Sequence, residues 1–414
     1  MKIEQTFTRR KFLEGTLAGA SGLALTQVNP SRASASPRQW KLGVVGSGAR
    51  SRGSHLPILR DYFPEVEVVA LCDITPENLQ EGLKVYGKTV AAYSDYKKML
   101  SEHPELDAVV VVVPNFLHAP VTIAALEAGK HVLTEKPIAT HVADATKMIE
   151  TAKKHQRILE VGFEMRYSQL FHRMADLLSQ GAIGDLELVF AALFRGDWNP
   201  KSWKYTDPQT GVSTNWRFLT YMAGCSLMED GIHELDVIHW LVNAQPKLIQ
   251  AQGGNNVYRN RETIDNAGLL IEFANSVRCN FGFSLFTPGA PDGLVMRFYG
   301  SKGEMTFRRE MDAEYVVLNP YHGKTESIEV PYYQPGEKEV WNDLLKRRYS
   351  DPMSYDNEIS TYRVHREFLK SLETGAAPFS DGEVGRGAIH LALAAEHSLR
   401  TGQIVAWDSS DVAL

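Results

Sequence analysis

The chain has 414 residues, of which 43% are hydrophobic and 23% charged, and its formal net charge is −6. This is ordinary globular composition, with enough length for two domains that each have a sizeable core. A mildly acidic chain without a basic cluster lacks the electrostatic footprint of a nucleic-acid-binding protein. The cysteines stand far apart, in neither zinc-binding nor disulfide spacing, so we expect buried side chains and no metal site at Cys72, Cys225 and Cys279.

The N-terminal residues 1–35 have the pattern of an export signal. Thr8-Arg9-Arg10-Lys11-Phe12-Leu13 resembles the twin-arginine motif, a weakly apolar stretch over 16–28 follows, and Ala33-Ser34-Ala35 offers a cleavage site. The apolar stretch is too short and too rich in glycine for a membrane span. The pattern predicts a periplasmic protein carried by the twin-arginine export machinery, without membrane insertion after cleavage. The alternative is a disordered N-terminus that contains Arg9-Arg10 by chance.

The segment after Lys41 predicts a strand, a tight glycine turn and a helix. The apolar run Leu42–Val45 stops at the turn Gly46–Gly48, and helix-like sequence begins at Ser54. Glycines let a backbone approach a dinucleotide pyrophosphate, and the helix N-terminus supplies free N–H groups. Asp73 ends the next apolar run, at the spacing where a carboxylate binds the ribose of NAD.

The glycine fingerprint G-x-G-x-x-G is imperfect in this turn. Its third glycine should fall at Ser51, and the next glycine is Gly53. An ordinary glycine-rich strand–helix turn is therefore the alternative to a nucleotide site.

Strand-like and helix-like runs alternate as far as Gly162, which predicts a doubly wound parallel sheet over residues 36–162. The expected strands are Leu42–Val45, Val66–Leu71, Ala108–Val113, His131–Leu133 and Ile158–Val161. The expected helices are Pro76–Tyr86, Tyr96–Glu102, Ala119–Ala128 and Val142–His155. Ligands of such sheets bind beyond the carboxyl ends of the strands, which directs attention to 46–48, 114–118 and 134–137.

Strands dominate a second predicted domain, residues 163–375, and their partial alternation favours a mostly antiparallel sheet. The expected strands are Leu186–Phe194, Leu248–Val257, Ala267–Phe273, Val277–Leu285, Val295–Tyr299 and Tyr315–Leu318. The expected helices are Leu170–Leu178, Asp230–Leu241 and Asn357–Leu372. Residues 376–414, with a helix over Glu383–Arg400, are expected to pack back on the body.

Two strand ends carry residues suited to chemistry. A lysine in Glu135-Lys136-Pro137 could hydrogen-bond a substrate hydroxyl and lower its pKa. Pro114-Asn115-Phe116-Leu117-His118 follows the preceding strand. The alternatives are a surface ion pair at 135–136, and a proline turn in which Asn115 or His118 caps a helix.

A third candidate lies at the start of the helix predicted from Asp230. On one helix, Glu229, His233 and Asp236 would share a face. A histidine flanked by two carboxylates is a candidate general base with a raised pKa. A metal site and a capped, solvated helix start are the alternatives.

The stretch 197–217 is rich in aromatic residues, namely Trp198, Trp203, Tyr205 and Trp216. Aromatic faces pack on the C–H surfaces of sugars, and packing between domains is the alternative.

In combination and order, these segments resemble the Gfo/Idh/MocA oxidoreductases. The matching segments are Gly46–Gly53, Pro114-Asn115-x-x-His118, Ala128-Gly129-Lys130-His131-Val132, Glu135-Lys136-Pro137, Arg166-Tyr167, Asn215-Trp216-Arg217 and Gly231-x-His233-x-x-Asp236. The resemblance implies a Rossmann domain, a second α/β domain whose open mixed sheet often forms the oligomer interface, and a nicotinamide cofactor between them. It also implies a cis peptide at Lys136–Pro137.

The resemblance assigns roles residue by residue. Lys136 matches the catalytic lysine and His233 the acid–base histidine, with Glu229 and Asp236 orienting His233 or gripping substrate. Glu229 departs from the family, which usually has Asp there, so the hydroxyl it contacts can differ. The residues expected to bind cofactor are Gly46, Ser47, Gly48, Ala49, Arg50, Asp73, Pro114, Asn115, His118, Glu135, Lys136, Arg166, Trp216 and Arg217.

The resulting hypothesis is an NAD(P)-dependent oxidoreductase that acts on a CH–OH group of a sugar, polyol or sugar derivative, as a dimer or tetramer. Asp73 favours NAD because a carboxylate repels a 2′-phosphate, whereas Arg50 and Arg52 keep NADP open. Export in the folded state implies a tightly retained cofactor. The alternative hypotheses are an enzyme whose retained NAD supports redox-neutral glycoside cleavage or epimerisation through a transient keto sugar, and a non-catalytic binding protein on the same scaffold.

Overall fold

The computed structural model describes residues 38–196, 203–207, 209–287, 293–310, 313–347 and 355–408. From Gln39 onward these residues form one compact unit. The predicted export signal lies outside the described residues. Within these ranges we find no helix with the length and apolar character that a bilayer crossing requires.

The first sheet has six strands, all parallel, in the order β3-β2-β1-β4-β5-β6. The strands are β1 (Trp40–Val45), β2 (Val66–Cys72), β3 (Ala91–Tyr93), β4 (Ala108–Val111), β5 (His131–Thr134) and β6 (Leu159–Val161). The helices between them are α1 (Leu56–Tyr62), α2 (Pro76–Tyr86), α3 (Tyr96–Glu102), α4 (His118–Glu127) and α5 (Val142–His155). The predicted doubly wound sheet is confirmed; only the short strand β3 lacked a sequence signal.

The continuous valine run of β4 is explained by burial on both faces of the sheet. Val109 and Val111 belong to one hydrophobic cluster, while Ala108 and Val110 belong to another, and all four are fully buried. Alternate side chains therefore enter two separate cores, as expected for a central strand covered on both sides.

The second sheet has nine strands in the order β16-β15-β14-β13-β7-β12-β11-β10-β17. Only β7 and β12 pair in parallel; the other neighbours are antiparallel. The strands are β7 (Leu186–Phe194), β10 (Pro246–Gly254), β11 (Asn266–Phe273), β12 (Arg278–Ser284), β13 (Leu294–Gly300), β14 (Gly303–Arg309), β15 (Glu314–Pro320), β16 (Glu326–Val330) and β17 (Val405–Ala406). A separate hairpin pairs β8 (Lys204–Thr206) with β9 (Ser213–Asn215). This confirms the large, mostly antiparallel sheet, although β14, β16 and β17 were not predicted.

The remaining helices follow β6 in the chain. They are α6 (Gln169–Ser179), α7 (Thr220–Ala223), α8 (Ser226–Glu229), α9 (Ile232–Val242), α10 (Lys338–Arg347), α11 (Tyr355–Thr374) and α12 (Gly382–Thr401). The long helix α12 packs against α5 of the first domain and against α9 and β10 of the second. Helix α11 contacts α1 and the helical turn just before α1. It therefore packs on the helical part of the first strand–turn–helix unit of the chain.

Candidate active site

The glycine turn after β1 is built around two glycines with different surroundings. Gly46 has φ +100°, and a Cβ on it would lie 2.0 Å from the carbonyl oxygen of Val112, at the end of neighbouring β4. Only glycine fits such a contact and such a φ. A Cβ on Gly48, by contrast, would meet nothing within 4 Å. The first glycine therefore packs the turn on the sheet, and the second leaves its backbone open to an incoming group.

The helix that follows begins with a π-helical turn, Ser51–His55, before α1. The N–H of Leu56 bonds to the carbonyl of Ser51, and Pro57 has no N–H to offer to Gly53. Gly53 is exposed, whereas Ser51 and Ser54 are buried. Ser51 thus occupies the third fingerprint position that the spacing assigned to it, and Gly53 does not replace it. π-helical turns of this kind are frequent at functional sites.

Asp73 lies directly across from the turn, at the carboxyl end of β2. Its Oδ2 accepts the N–H of Ser47 at 2.7 Å, and its Oδ1 accepts the N–H of Thr75 at 2.8 Å. Burial raises the pKa of Asp73, and these backbone N–H groups oppose the rise. Arg52, near this carboxylate, donates to the Asn78 side chain at 2.9 Å. The residues predicted for the nucleotide end of the site are therefore together.

The Lys136 side chain reaches across the cleft to the second domain. The Lys136–Pro137 peptide is cis, as the resemblance implied. Nζ donates to the backbone carbonyl of Glu229 at 2.7 Å and lies 3.9 Å from its Oε1. The alternative of a surface ion pair at 135–136 is wrong, because the side chains of Glu135 and Lys136 are only 8% and 20% exposed and Lys136 pairs with Glu229.

Glu229 is the centre of a buried polar cluster. Asn115 donates to its Oε2 at 2.7 Å, and Arg217 Nε lies 3.2 Å from its Oε1. Arg217 also donates to Asp230 Oδ1 at 2.6 Å. The Asn115 amide therefore holds Glu229 and does not cap a helix. The cluster fixes the Glu229 carboxylate at the mouth of the cleft where Lys136 arrives.

Glu229, His233 and Asp236 do not share one helix face, so that prediction is wrong. Glu229 ends α8, Gly231 interrupts the helix, and His233 lies in the first turn of α9. Asp236 gives both oxygens to Arg166, at 2.7 and 2.9 Å, and is buried. Asp236 therefore positions Arg166 and does not flank His233. The alternative of a solvated helix start is wrong as well, because these carboxylates are buried.

His233 faces a different carboxylate from those expected. Its Nε2 lies 4.0 Å from Glu164 Oε1, and its Nδ1 is buried without a hydrogen-bond partner among the described residues. Burial lowers the pKa of His233 to about 3, and the positive charge of Lys136 adds to this. The predicted upward shift is wrong because the desolvated site disfavours imidazolium more than Glu135 favours it. His233 is consequently neutral at neutral pH, the state in which it can accept a proton.

Arg50, expected at the cofactor, binds two glutamates. Its Nε donates to Glu135 Oε1 at 2.7 Å, and its Nη2 donates to Glu164 Oε2 and, at 3.0 Å, to Thr361 Oγ1. Burial raises the pKa of Glu135, but Arg50 and His55 outweigh it and hold that pKa well below its usual range. Arg50 thus ties the glycine turn to the loop of Lys136 and to helix α11.

Four residues of this network were missed. Glu164 lies three residues after the end of β6, so the rule of strand ends could have found it. His55 lies 2.9 Å, through Nε2, from Glu135 Oε1, and its Nδ1 lies 2.9 Å from Nε2 of His365. Thr361 and His365 come from α11, far along the chain, and no spacing in the sequence connects them with the glycine turn.

Two residues that were expected to bind the cofactor, His118 and Trp216, are buried, and the ring nitrogens of His118 have partners within the protein. Both ring nitrogens of His118 face backbone carbonyls, those of Pro137 and Val113, and the residue is 1% exposed. His118 therefore braces the loop that carries Lys136. Trp216 is buried edge-on against Trp203, with ring centroids 6.2 Å apart. Pro114 precedes the turn that carries Asn115, and the exposed Ala49 begins the helix after the glycine turn.

The aromatic residues between β7 and α7 pack on one another. Phe116 of the first domain meets Tyr205 edge-to-face at 5.2 Å, and the Arg217 guanidinium lies over the Trp203 ring at 5.1 Å. These contacts favour the alternative of interdomain packing for Trp203, Tyr205 and Trp216. Trp198 lies outside the described residues. Across the described ranges, we find no group of three or more His, Cys, Asp or Glu side chains arranged to hold a metal ion.

The fold and this site together define a two-domain protein with a dinucleotide-type turn facing a buried Lys–Glu–His site. Residues 40–163 match the family model described as "Oxidoreductase family, NAD-binding Rossmann fold", and residues 171–306 match the GFO/IDH/MocA C-terminal domain. The chain belongs to the Gfo/Idh/MocA oxidoreductase family.

Similar proteins include two that are named inositol 2-dehydrogenase and myo-inositol 2-dehydrogenase. Inositol 2-dehydrogenase of Salmonella paratyphi B is 31% identical over 211 residues, which are 51% of this chain and 56% of that protein. This chain thus spans about half the length of that relative. Myo-inositol 2-dehydrogenase of Thermotoga maritima is 25% identical over 87% of this chain and 96% of its own length. The crystal structure of aldose-aldose oxidoreductase from Caulobacter crescentus, complexed with glycerol, has the same fold, with TM-score 0.71, 23% identity and coverage of 89% and 100% of the two chains.

Proposed function

We propose that this protein is an NAD-dependent dehydrogenase that oxidises a CH–OH group of a sugar or polyol. The observation that carries the proposal is the meeting of Lys136 with Glu229 and His233, which come from two segments far apart in the chain. Lys136 lies close enough to His233 for its charge to lower the pKa of the imidazole. The relatives named inositol 2-dehydrogenase support a polyol as the substrate class.

The residues of the site suit the two charges that such a reaction develops. Neutral His233 accepts the hydroxyl proton, and the Lys136 ammonium stabilises the developing alkoxide. Glu229, fixed by Asn115 and Arg217, fixes Lys136 in turn and is placed to accept a hydrogen bond from a substrate hydroxyl. The nicotinamide, when bound, supplies the hydride acceptor.

The glycine turn fits a dinucleotide, and its charges favour NAD over NADP. The open space at Gly48 suits a pyrophosphate, and the Asp73 carboxylate at the end of the next strand suits a ribose hydroxyl. The two arginines that could hold a 2′-phosphate have partners within the protein. Arg50 binds Glu135 and Glu164, and Arg52 binds Asn78 and the Ser47 carbonyl. Export in the folded state would require the cofactor to be tightly retained.

Mass spectrometry of the small molecules released by denaturing the purified protein tests the cofactor. Release of NAD supports the proposal, release of NADP corrects the cofactor, and failure to bind either nucleotide contradicts a dehydrogenase and leaves a non-catalytic binding protein. Turnover is then measured with a panel of inositols and aldoses. Stoichiometric NADH formation supports the dehydrogenase, whereas product formation or cleavage of a nitrophenyl glycoside without net NADH supports redox-neutral catalysis with retained NAD.

The outer face of the large sheet supports a homo-oligomer, a dimer or tetramer. Phe190, Phe194, Leu270 and Val295 are 37–55% exposed on strands β7, β11 and β13 of one sheet. In the register of the sheet, Phe190 and Leu270 lie on either side of Asn280, and Val295 lies beside Ala192, the neighbour of Phe190 and Phe194 on the same face. A sheet face that exposes several large apolar side chains is typical of an interface.

Size-exclusion chromatography with light scattering tests this interface. We expect Phe190→Asp to shift the protein towards the monomer. Val257→Asp, at an exposed apolar residue outside the sheet, is the matched control and should leave the mass unchanged. A wild-type protein that is monomeric at micromolar concentration would contradict the proposal.

We propose that residues 1–35 direct export through the twin-arginine pathway, on the strength of the Arg9-Arg10 pair, the apolar stretch and the Ala33-Ser34-Ala35 site. Fractionation of cells that produce the full chain tests this. Replacing both arginines by lysine should keep the protein in the cytoplasm and leave its signal uncleaved. Unchanged distribution would contradict the proposal.

A further inference from the structure

Glu164 is a buried carboxylate that lies 4.0 Å from the candidate base and has no role in the proposed reaction as described above. One of its oxygens is held: Oε2 accepts from Arg50 Nη2 and, at 3.3 Å, from the hydroxyl of Thr361. The other oxygen, Oε1, lies 4.0 Å from His233 Nε2. The contacts on Oε2 therefore fix the direction in which Oε1 faces.

We propose that Glu164 is a positioning residue for His233: its carboxylate holds the imidazole and stabilises the positive charge that His233 gains when it accepts the substrate proton. The inference rests on the proposed function only for the source of the proton, which is a substrate hydroxyl. The pairing of Glu164 with His233 does not depend on that function. A movement of about 1 Å brings the two atoms to hydrogen-bond distance. Catalytic hydrogen bonds are often this long in ligand-free proteins and tighten in the complex with substrate.

The charges around the pair explain why His233 needs such a partner. Burial and three cations disfavour its imidazolium form, and the only carboxylate that acts on it from the Lys136 loop, Glu135, is occupied by Arg50 and His55. Ionised Glu164 would place a negative charge 4.0 Å from His233 Nε2. The charged groups that act on His233 or Glu164 are Arg50, Glu135, Lys136 and Arg195.

The ionisation of Glu164 gives the pair a measurable signature. Burial raises the pKa of Glu164 above its usual range, with Glu135 adding to the rise and Arg50 and Lys136 opposing it. As the pH falls through this raised pKa, Glu164 becomes neutral and no longer stabilises imidazolium. Turnover should therefore decline on the acid side as Glu164 takes up its proton.

The substitution Glu164→Gln preserves size and hydrogen bonding to Thr361 and removes the charge. We expect kcat to fall about 30-fold or more, with KM within about threefold and NAD affinity unchanged. The decline in turnover at acid pH that we assign to protonation of Glu164 should disappear. In the background of His233→Gln, the same substitution should have no further effect, because Glu164 acts through His233. An equal loss in both backgrounds would overturn the proposal in favour of a purely structural role.

Glu160→Gln is the matched control. Glu160 is also a fully buried glutamate, four positions earlier in the chain, and its Oε1 accepts from the Tyr167 hydroxyl at 2.7 Å. It does not contact His233 in the structure, so kcat and the pH profile should stay unchanged. Melting temperatures of all variants show whether the substitutions leave the fold intact.

A second measurement separates this inference from the proposed reaction. In protein labelled with [13C]histidine, the ring resonance of His233, identified by its loss in His233→Gln, should shift as Glu164 titrates. The shift should persist in Glu160→Gln and vanish in Glu164→Gln. A His233 resonance that titrates identically in wild type and Glu164→Gln overturns the pairing, whether or not any polyol is oxidised. A normal pairing without polyol oxidation contradicts only the proposed function.

Discussion

The two ends of the site are held by different kinds of contact. At the glycine turn, the contacts involve backbone groups: Gly46 packs against the Val112 carbonyl, and the Ser47 N–H donates to the Asp73 carboxylate. At the other end, side chains hold side chains, as where Asn115 and Arg217 fix Glu229. The first end depends on backbone groups and on glycines without a side chain, and the second on buried charges that need their partners. Substitutions at the two ends should therefore fail in different ways.

The largest effect should come from the charged end. We expect Lys136→Met and His233→Gln each to lower kcat about 100- to 10,000-fold, because each removes a group that stabilises charge only in the transition state. The glycine turn is untouched, so the affinity for NAD measured by titration calorimetry should change little. Wild-type turnover in either variant would contradict this expectation. Loss of NAD binding as well as turnover in both variants would also contradict it, because the two ends of the site would then not be separate.

At the glycine turn, the expected failure is in folding. Gly46→Ala places a methyl group in contact with the Val112 carbonyl and forces a φ that L-residues avoid, which should cost about 3 kcal/mol of unfolding free energy. Gly48→Ala is the matched control, because open space surrounds that position. It should unfold like the wild type in urea but bind NAD less tightly. Equal stability losses in both variants would remove the distinction between the two glycines.

Sequence patterns predicted the first end better than the second because its geometry is local. Gly46, Gly48 and Ser51 follow from one strand–turn–helix unit, and Asp73 from the next strand of the same sheet. The second end joins segments far apart in the chain. Glu229 and His233 appeared to share a helix face only because the spacing suggested one helix, and the break at Gly231 is a tertiary feature.

The partners of charged residues were the least predictable part of the site. Asp236 lies three positions from His233 in the sequence, yet it binds Arg166, whereas Glu164 approaches His233 from a turn about seventy residues away. Patterns identified which residues were charged and close to a strand end. They could not assign pairs, because pairing depends on how α9, α11 and the β6 turn pack together.

The pair Asp236–Arg166 tests the cost of separating buried partners. Asp236→Asn leaves the Arg166 guanidinium, which is 8% exposed, without its counter-charge. We expect a loss of about 3 kcal/mol in unfolding free energy, measured by urea denaturation. The matched control is Asp144→Asn, whose carboxylate lies 3.6 Å from His141 on the surface with half of its side chain exposed. That variant should lose less than about 0.5 kcal/mol. Similar losses in both variants would mean that burial does not govern the strength of these pairs.

The last effect concerns stability and pH, at a buried carboxylate whose pKa none of the described cations is found to lower. Burial raises the pKa of Glu160 well above its usual range, with the charge of Glu367 adding to the rise. The folded state therefore binds this proton more tightly than the unfolded state. The resulting stability is complete below the unfolded pKa of about 4.5 and is lost as the pH rises through the folded pKa.

Glu160→Gln replaces the protonated carboxyl with a group of the same shape that cannot ionise, so the loss of stability at higher pH should disappear. Near pH 4, below the unfolded pKa, the variant and the wild type should melt within about 1 °C of each other, because the wild-type carboxyl group is then mostly neutral in both the folded and the unfolded state. At pH 8 the variant should be more stable than the wild type. Thermal unfolding at the two pH values measures the difference, in which the contributions of other titrating groups cancel. A wild type that gains stability relative to the variant as the pH rises would mean that the folded protein stabilises the ionised form of Glu160, so that burial does not govern the pKa of this carboxyl group.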